Sequence, residues 1–375
     1  MFGNARRPFG TARSPTILPN GHRTPRPTDR TEWVDGHRVR MELSEDQLIE
    51  AIARVLSGEE PGVVVGIGDD AAVVQPGGGQ TVLTTDLLVE GVHFERGSIS
   101  ARDLGAKAIT VNVSDIAAMA ASPRYALVSL AIPADVNAAW VIELYGGMRD
   151  VCAEHALALV GGDTNRAELV VLSVAVIGEV APGRALTRSG ARAGDAIVVT
   201  GSLGAAAGGL ALSRAHPSKA AEALSAPWGR DLLQAFTRPV ARVGEAQVLA
   251  SAGATAMMDL SDGLAKDLSR LCLASAVGAR VRIADIPVAP SLAAGAEMLQ
   301  VDALRLALSG GEDYELLATM PPDAVDATRA ELREGFGVAL SEVGRIVDGP
   351  GLVAVSGDGI ESALEPAGWD HFAGG

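Results

Sequence analysis

Apolar residues along this chain recur with two periods, and the switches between them mark its elements. Between residues 63 and 94 two β-branched runs, one containing Val63 to Val65 and Val73 to Val74 and one starting at Val82, flank a glycine break at Gly77, Gly78 and Gly79. That pattern predicts a hairpin or two neighbouring strands. Upstream, Ser44 and Gln47 fit a capping box ahead of Leu48, Ile49, Ile52 and Val55, the apolar face of a helix. A second capping box, Ser100 with Asp103, opens a helix expected to reach about Ala121. Strands are expected over 125–132, 157–160 and 169–180, with a helix over 137–155. After a Gly-, Ala- and Arg-rich stretch over 184–194, strands are expected over 196–200 and 256–260, with a helix over 240–252 between them. A small-residue helix should follow Gly204, another should run from Gly263 to about Val277, and residues 306–320 should end in a strand. Strand and helix patterns alternate throughout, so the expected fold is α/β with mixed sheets.

The chain has 375 residues, enough for two domains of ordinary size. The composition shift near 184–194 places the boundary, giving an N-terminal domain over 41–185 and a C-terminal domain over 186–375. Residues 1–40 are rich in Pro, Arg, Thr and Gly without periodicity, and are expected to be a disordered extension, with Met41 as an alternative start. At 48% hydrophobic and 3% aromatic, the cores must be built mostly from Ala, Val, Leu and Ile. No apolar run approaches the ~20 residues that span a bilayer, and the N-terminus lacks a signal-peptide core. Cys152 and Cys272 fall in apolar helical patterns and read as small buried hydrophobes. The expected compartment is the cytoplasm.

Net charge is −15, and the first 40 residues hold eight arginines against three acids, so the remainder carries −20. A body so acidic should repel nucleic acid and anionic membranes. If it binds phosphates, it needs metal ions to do so.

The candidate chemistry lies in scattered carboxylates. Asp69, Asp70, Asp86, Asp115, Asp163, Asp259 and Asp262 stand at strand ends or in otherwise apolar segments. An Asp beside glycine is usually a turn residue or helix cap. Capping does not explain Asp115 and Asp259, which lie in apolar segments where a carboxylate is costly unless paired or metal-bound. Hard oxygen ligands of this kind suit Mg²⁺, and several such ions point to a nucleoside triphosphate. Gly66-Ile67-Gly68 superficially fits a dinucleotide fingerprint, but two carboxylates follow where bare amides are needed. The three lysines, Lys107, Lys219 and Lys266, sit in no Walker A frame, and no nucleophile-elbow serine is present.

Together these motifs resemble the thiamine-monophosphate kinase family, within the superfamily that includes aminoimidazole ribonucleotide synthetase and selenophosphate synthetase. The resemblance runs from about residue 42 to the end. It rests on Gly-Ile-Gly-Asp69-Asp70, Thr84-Thr85-Asp86 with Gly91-Val-His93-Phe, and Asn112-Val-Ser-Asp115. Gly161-Gly-Asp163-Thr, Asp259-Leu-Ser261-Asp262-Gly, Ser309-Gly-Gly-Glu312-Asp-Tyr-Glu-Leu and the terminal Gly368-Trp369 complete it. It implies a two-domain aminoimidazole ribonucleotide synthetase-like fold that dimerises through its N-terminal domains. It also implies transfer of the ATP γ-phosphoryl group to thiamine monophosphate, with several Mg²⁺ ions. By match, Asp69, Asp70, Thr84, Thr85, Asp86, Asp115, Asp163, Asp259 and Asp262 would hold metal. Tyr145, Gly162, Asp163, Arg188 and Ser261 would contact ATP, and His93, Glu312 and Trp369 the thiamine substrate. No side chain is implied as general base. The chain departs from the pattern in its first 40 residues and at Ala167, where the family pattern has glycine. Two alternatives stay open: another ATP-dependent synthetase of the superfamily, and a non-catalytic Mg²⁺- or nucleotide-binding regulator.

Overall fold

The structure, a computed structural model, describes residues 51–52, 54–56, 63–65, 73–74 and 77–369. The expected N-terminal extension, Met41, the Ser44–Gln47 cap, Asp69 and Asp70 lie outside the described residues.

Val63–Val65 (β1) and Val73–Val74 (β2) pair antiparallel with each other. Gln80–Val89 (β3) does not join them as the hairpin across the glycine break would require. It pairs along its whole length with Val171–Val180 instead, so that Thr84, Thr85 and Asp86 face Val176, Ala175 and Val174. A ten-residue antiparallel ladder satisfies more backbone groups than a two-residue partner can offer.

The Ser100 cap forms as expected: Ser100 Oγ accepts from the Asp103 amide at 3.0 Å and donates to its carboxylate at 2.7 Å. It starts α1 (Ala101–Ala118), which is buried almost all round and is therefore a core helix. Ser122–Ile132 (β4) follows, then α2 (Ala138–Glu154), capped by Asn137, whose side chain accepts from the Trp140 amide at 2.9 Å. The two helices cross at glycines. A Cβ on Gly105 would lie 1.9 Å from the Leu144 carbonyl oxygen, and one on Gly147 would lie 1.8 Å from that of Arg102. Ala158–Arg166 (β5) pairs parallel with β4, and Val171–Val180 (β6) completes a four-stranded sheet in the order β3-β6-β4-β5. β5 runs straight through Gly161 to Thr164, so Asp163 is mid-strand and not at a strand tip.

Ala196–Thr200 (β7), fully buried, leads into α3 (Ala205–Ser213), α4 (Pro217–Ser225), α5 (Pro227–Thr237) and α6 (Val243–Ser251). Ala256–Asp259 (β8), α7 (Leu264–Ser275), Gly278–Arg282 (β9), α8 (Pro290–Leu299) and α9 (Ala303–Ser309) come next. Leu316–Met320 (β10), α10 (Val325–Phe336), Leu340–Val347 (β11), Gly351–Val355 (β12) and Glu361–Ala363 (β13) end the described fold. The second sheet has seven strands in the order β13-β12-β9-β11-β7-β10-β8, antiparallel except for β9 with β12.

Helix α1 belongs to both halves. Its Ile109, Val113 and Ile116 pack with Leu130, Leu144 and Leu172 beneath the first sheet. Ala117 and Ala118, the last two residues of the helix, pack with Ala196, Met257 and Leu316 beneath the second. A helix buried on almost every side can take this place because it has no solvent face to keep. Among the described residues no helix is long and apolar enough to cross a membrane.

Candidate functional site

On α1, Lys107, Val111 and Asp115 recur every four residues and so share one face. That face is opposed by β3, by the chain leaving β8, and by the loop between α9 and β10. Together they border a cavity of about 1010 Å³. Thr85 and Asp86 enter it from β3, His93 from the turn that follows, and Ser261 and Asp262 from the end of β8. Glu312, Tyr314 and Trp369 close another wall. Seven residues named by the sequence, more than 280 positions apart at the extremes, thus line one space.

Thr84 precedes the wall residue Thr85 on β3, and Asp115 stands one turn beyond the wall residue Val111 on α1. The Thr84 hydroxyl donates to Asp115 Oδ2 at 2.6 Å, joining β3 to α1. Ser114 on the same helix donates to Asp259 Oδ2 at 2.7 Å, joining α1 to β8. Burial pushes the Asp86 carboxyl up to about 6, and the charge of Asp115 adds to the shift. Burial also raises Asp115, against the Thr84 hydrogen bond and the positive charge of Arg188. Asp259, 2% exposed, is pushed up to about 8 by burial and then by Asp115. The Tyr314 phenol is raised well above its ordinary value by burial and by the charges of Glu312, Asp86, Asp259 and Asp115. Four carboxylates therefore act electrostatically on one phenol.

These oxygens suit a hard cation, which would relieve both the repulsion and the burial cost of Asp86, Asp115 and Asp259. Among the described residues no three His, Cys, Asp or Glu side chains stand close enough to cage a metal by themselves. Mg²⁺ commonly takes one or two carboxylates and completes its shell with water and substrate phosphate.

Other expected residues are placed differently. Asp262, expected as a metal ligand, is salt-bridged to Arg270 at 2.6 Å and Lys266 at 3.4 Å, so side-chain cations already neutralise it. Its carbonyl accepts from the Trp369 amide at 3.0 Å, and Lys266 Nζ donates to the Trp369 carbonyl, tying the terminal segment to the cavity rim. Tyr145, expected beside ATP, is 4% exposed, packed in the first core and absent from the cavity wall. Its phenol is pushed up to about 12 by burial. Gly162 and Asp163 lie on β5, at the opposite edge of the four-stranded sheet from β3. Asp163 is exposed and accepts from the Asn165 amide group at 3.0 Å. A Cβ on Gly162 would lie 1.9 Å from the Val128 carbonyl oxygen, so the neighbouring strand explains that glycine.

Sequence reasoning missed Lys107, Ser114 and Asp313. Asp313 is partly buried and accepts from the Gly204 and Ala206 amides at 2.7 and 3.3 Å, so it caps α3. A lysine inside the apolar run of α1 was the available signal for the first of them.

Family models cover most of the chain. The AIR synthase related protein N-terminal domain matches residues 68–180, and the AIR synthase related protein C-terminal domain matches 192–357. The thiamine-monophosphate kinase of Escherichia coli (strain K12) is 40% identical over 316 residues, spanning 83% of this chain and 93% of that one. The crystal structure of thiamine-monophosphate kinase from Stenotrophomonas maltophilia K279a superposes with a TM-score of 0.71 at 37% identity, covering 86% of this chain and 99% of the other. The structure of AaThiL complexed with AMPPCP and TMP gives a TM-score of 0.69 at 34% identity, covering 88% and 98%.

Proposed function

The chain belongs to the AIR synthase related protein family and, within it, to the thiamine-monophosphate kinases, and on that premise we propose that it moves the γ-phosphoryl group of ATP onto the phosphate of thiamine monophosphate, yielding thiamine diphosphate. The observation that carries the reading is the meeting of Asp86, His93, Glu312 and Trp369 around one cavity, with the carboxylates of Asp115 and Asp259 near enough to act on Asp86 and on each other.

The acceptor is a phosphate oxygen whose second pKa is about 6, largely ionised at neutral pH. It needs no general base, and none of the cavity residues is required to act as one. The obstacle is to bring two polyanions together beside acidic walls. Mg²⁺ held by Asp86, Asp115 and Asp259 would neutralise the phosphates and align donor with acceptor. Thr84 and Ser114 fix the Asp115 and Asp259 carboxylates through their hydroxyls. Glu312 offers a carboxylate and Trp369, 43% exposed, an aromatic face to a cationic thiazolium ring. Asp69, Asp70, Thr85 and Asp163 are proposed as further oxygens toward metal, and Gly162, Arg188 and Ser261 as ATP contacts.

Residues 41–185 and 186–375 are read as two domains, each built on one main sheet, with the short β1–β2 pair in the first. A homodimer through the first sheet is part of the proposal. Leu83 and Leu127 stand exposed on that sheet, and β5 with Gly162 and Asp163 is an edge strand. The buried free thiols of Cys152 and Cys272 and the use of ATP support a cytoplasmic setting.

Coupled ADP release tests the reaction, with ATP and Mg²⁺ and a panel of acceptors. Release that requires thiamine monophosphate is expected. Release with an aminoimidazole-pathway substrate instead would move the chain to another activity of the superfamily, and ATP binding without release would make it a regulator.

A further inference from the structure

Lys107 is one of three lysines in the chain and is 1% exposed in the middle of α1. A buried ammonium is costly unless its donors are matched. Here Nζ donates to Glu312 Oε2 at 3.0 Å and to the Phe236 carbonyl at 3.0 Å, and lies 4.1 Å from the centre of the Phe236 ring. These contacts tie three segments: α1, the last turn of α5, and the loop ahead of β10.

That loop carries a second, independent sign. Glu312 has φ +69° and Tyr314 φ +51°, a left-handed conformation that side chains other than glycine seldom adopt. The backbone is pinned there by the Glu312 amide donating to the Ser261 carbonyl at 2.8 Å and the Tyr314 amide donating to that of Leu260 at 2.9 Å. Unfavourable backbone persists only where its surroundings over-determine it, and it gathers at ligand clamps.

We infer that Lys107 is a positioning residue: from behind the cavity wall it fixes the carboxylate that Glu312 presents to the substrate. The inference rests on the proposed thiamine-phosphate site and names what holds it. Glu312 Oε2 is committed to Lys107, which leaves Oε1 to a ligand. Without the ammonium, a long side chain on a pinned backbone regains its rotamers, and the ligand must order it again on binding.

The test uses the full chain as wild type, Lys107→Met, Lys107→Arg, Glu312→Gln and the Lys107→Met/Glu312→Gln double variant. Steady-state kinetics should show the KM for thiamine monophosphate rising about tenfold in Lys107→Met, with the KM for ATP within about twofold. Lys107→Arg should recover part of the loss. The double variant should fall within about twofold of Glu312→Gln alone, because both substitutions act through one carboxylate. Equal rises in both KM values, or losses that multiply in the double variant, would overturn the assignment. Amide hydrogen exchange without substrate gives a second readout: Glu312 and Tyr314 should exchange about tenfold faster in Lys107→Met, with α2 unchanged. Unchanged exchange there would also overturn it. A wild-type chain that leaves thiamine monophosphate untouched would sink the proposed function, and exchange would then decide the role of Lys107 alone.

Discussion

Replacing Asp259 by Asn removes the most deeply buried carboxylate of the site while leaving an oxygen to accept from Ser114. Asp259 is pushed up to about 8, first by burial and then by Asp115. The sign follows from linkage. Between about pH 5 and 8 the metal-free folded chain holds close to one proton more at this group than the unfolded chain does, so stability falls as pH rises. At about 1.4 kcal/mol per unit, three units give roughly 4 kcal/mol as an upper value. It is an upper value because Asp115 and Asp86 share in the shift, and their titration relieves it. The half-buried His155 is lowered by desolvation and titrates in the opposite sense, so the quantity to compare is wild type minus Asp259→Asn. Urea unfolding in EDTA at pH 5, 6, 7 and 8 should show the variant gaining on wild type with each step. Mg²⁺ should restore wild type at pH 8 and do much less for the variant. A difference that stays flat or falls from pH 5 to 8 would refute the reasoning, as would an equal Mg²⁺ effect on both chains.

Asp115→Asn should fold yet lose at least about a hundredfold in turnover at saturating Mg²⁺, since it removes charge the transition state needs; retained turnover would show that Asp115 is dispensable. Gly105→Ala should cost about 2–3 kcal/mol by urea unfolding, because its methyl would meet the Leu144 carbonyl at 1.9 Å and the helices must part. Sedimentation of the full chain at micromolar concentration should give a dimer, and a monomer would remove the homodimer from the account.

The sequence showed most of what the long elements do, because their patterns are local. The Ser100–Asp103 cap, the apolar run of α1 and the alternation along β3 and β6 each follow from neighbours a few residues apart. Pairing is not local, which is why the hairpin expectation failed: nothing near Thr84 reveals that its partner is Val176. Strands β12 and β13 are short, and β11 is interrupted by a register shift between Glu342 and Gly344, so their periodicity is faint. At the site, residue type singled out acids with no local partner, such as Asp86, Asp115 and Asp259, whose carboxyls burial raises. It also singled out Asp262, but it did not show that Lys266 and Arg270, one and two turns along α7, form salt bridges with it. Tyr145 matched by position, and burial in the α2 core then placed it away from the cavity.

The most direct test of the central claim follows the label from ATP carrying ³²P in its γ-phosphate, incubated with the chain, Mg²⁺ and thiamine monophosphate. The account predicts label in the terminal phosphate of thiamine diphosphate, formed one for one with ADP. Label recovered as inorganic phosphate, with thiamine monophosphate unchanged, would contradict it.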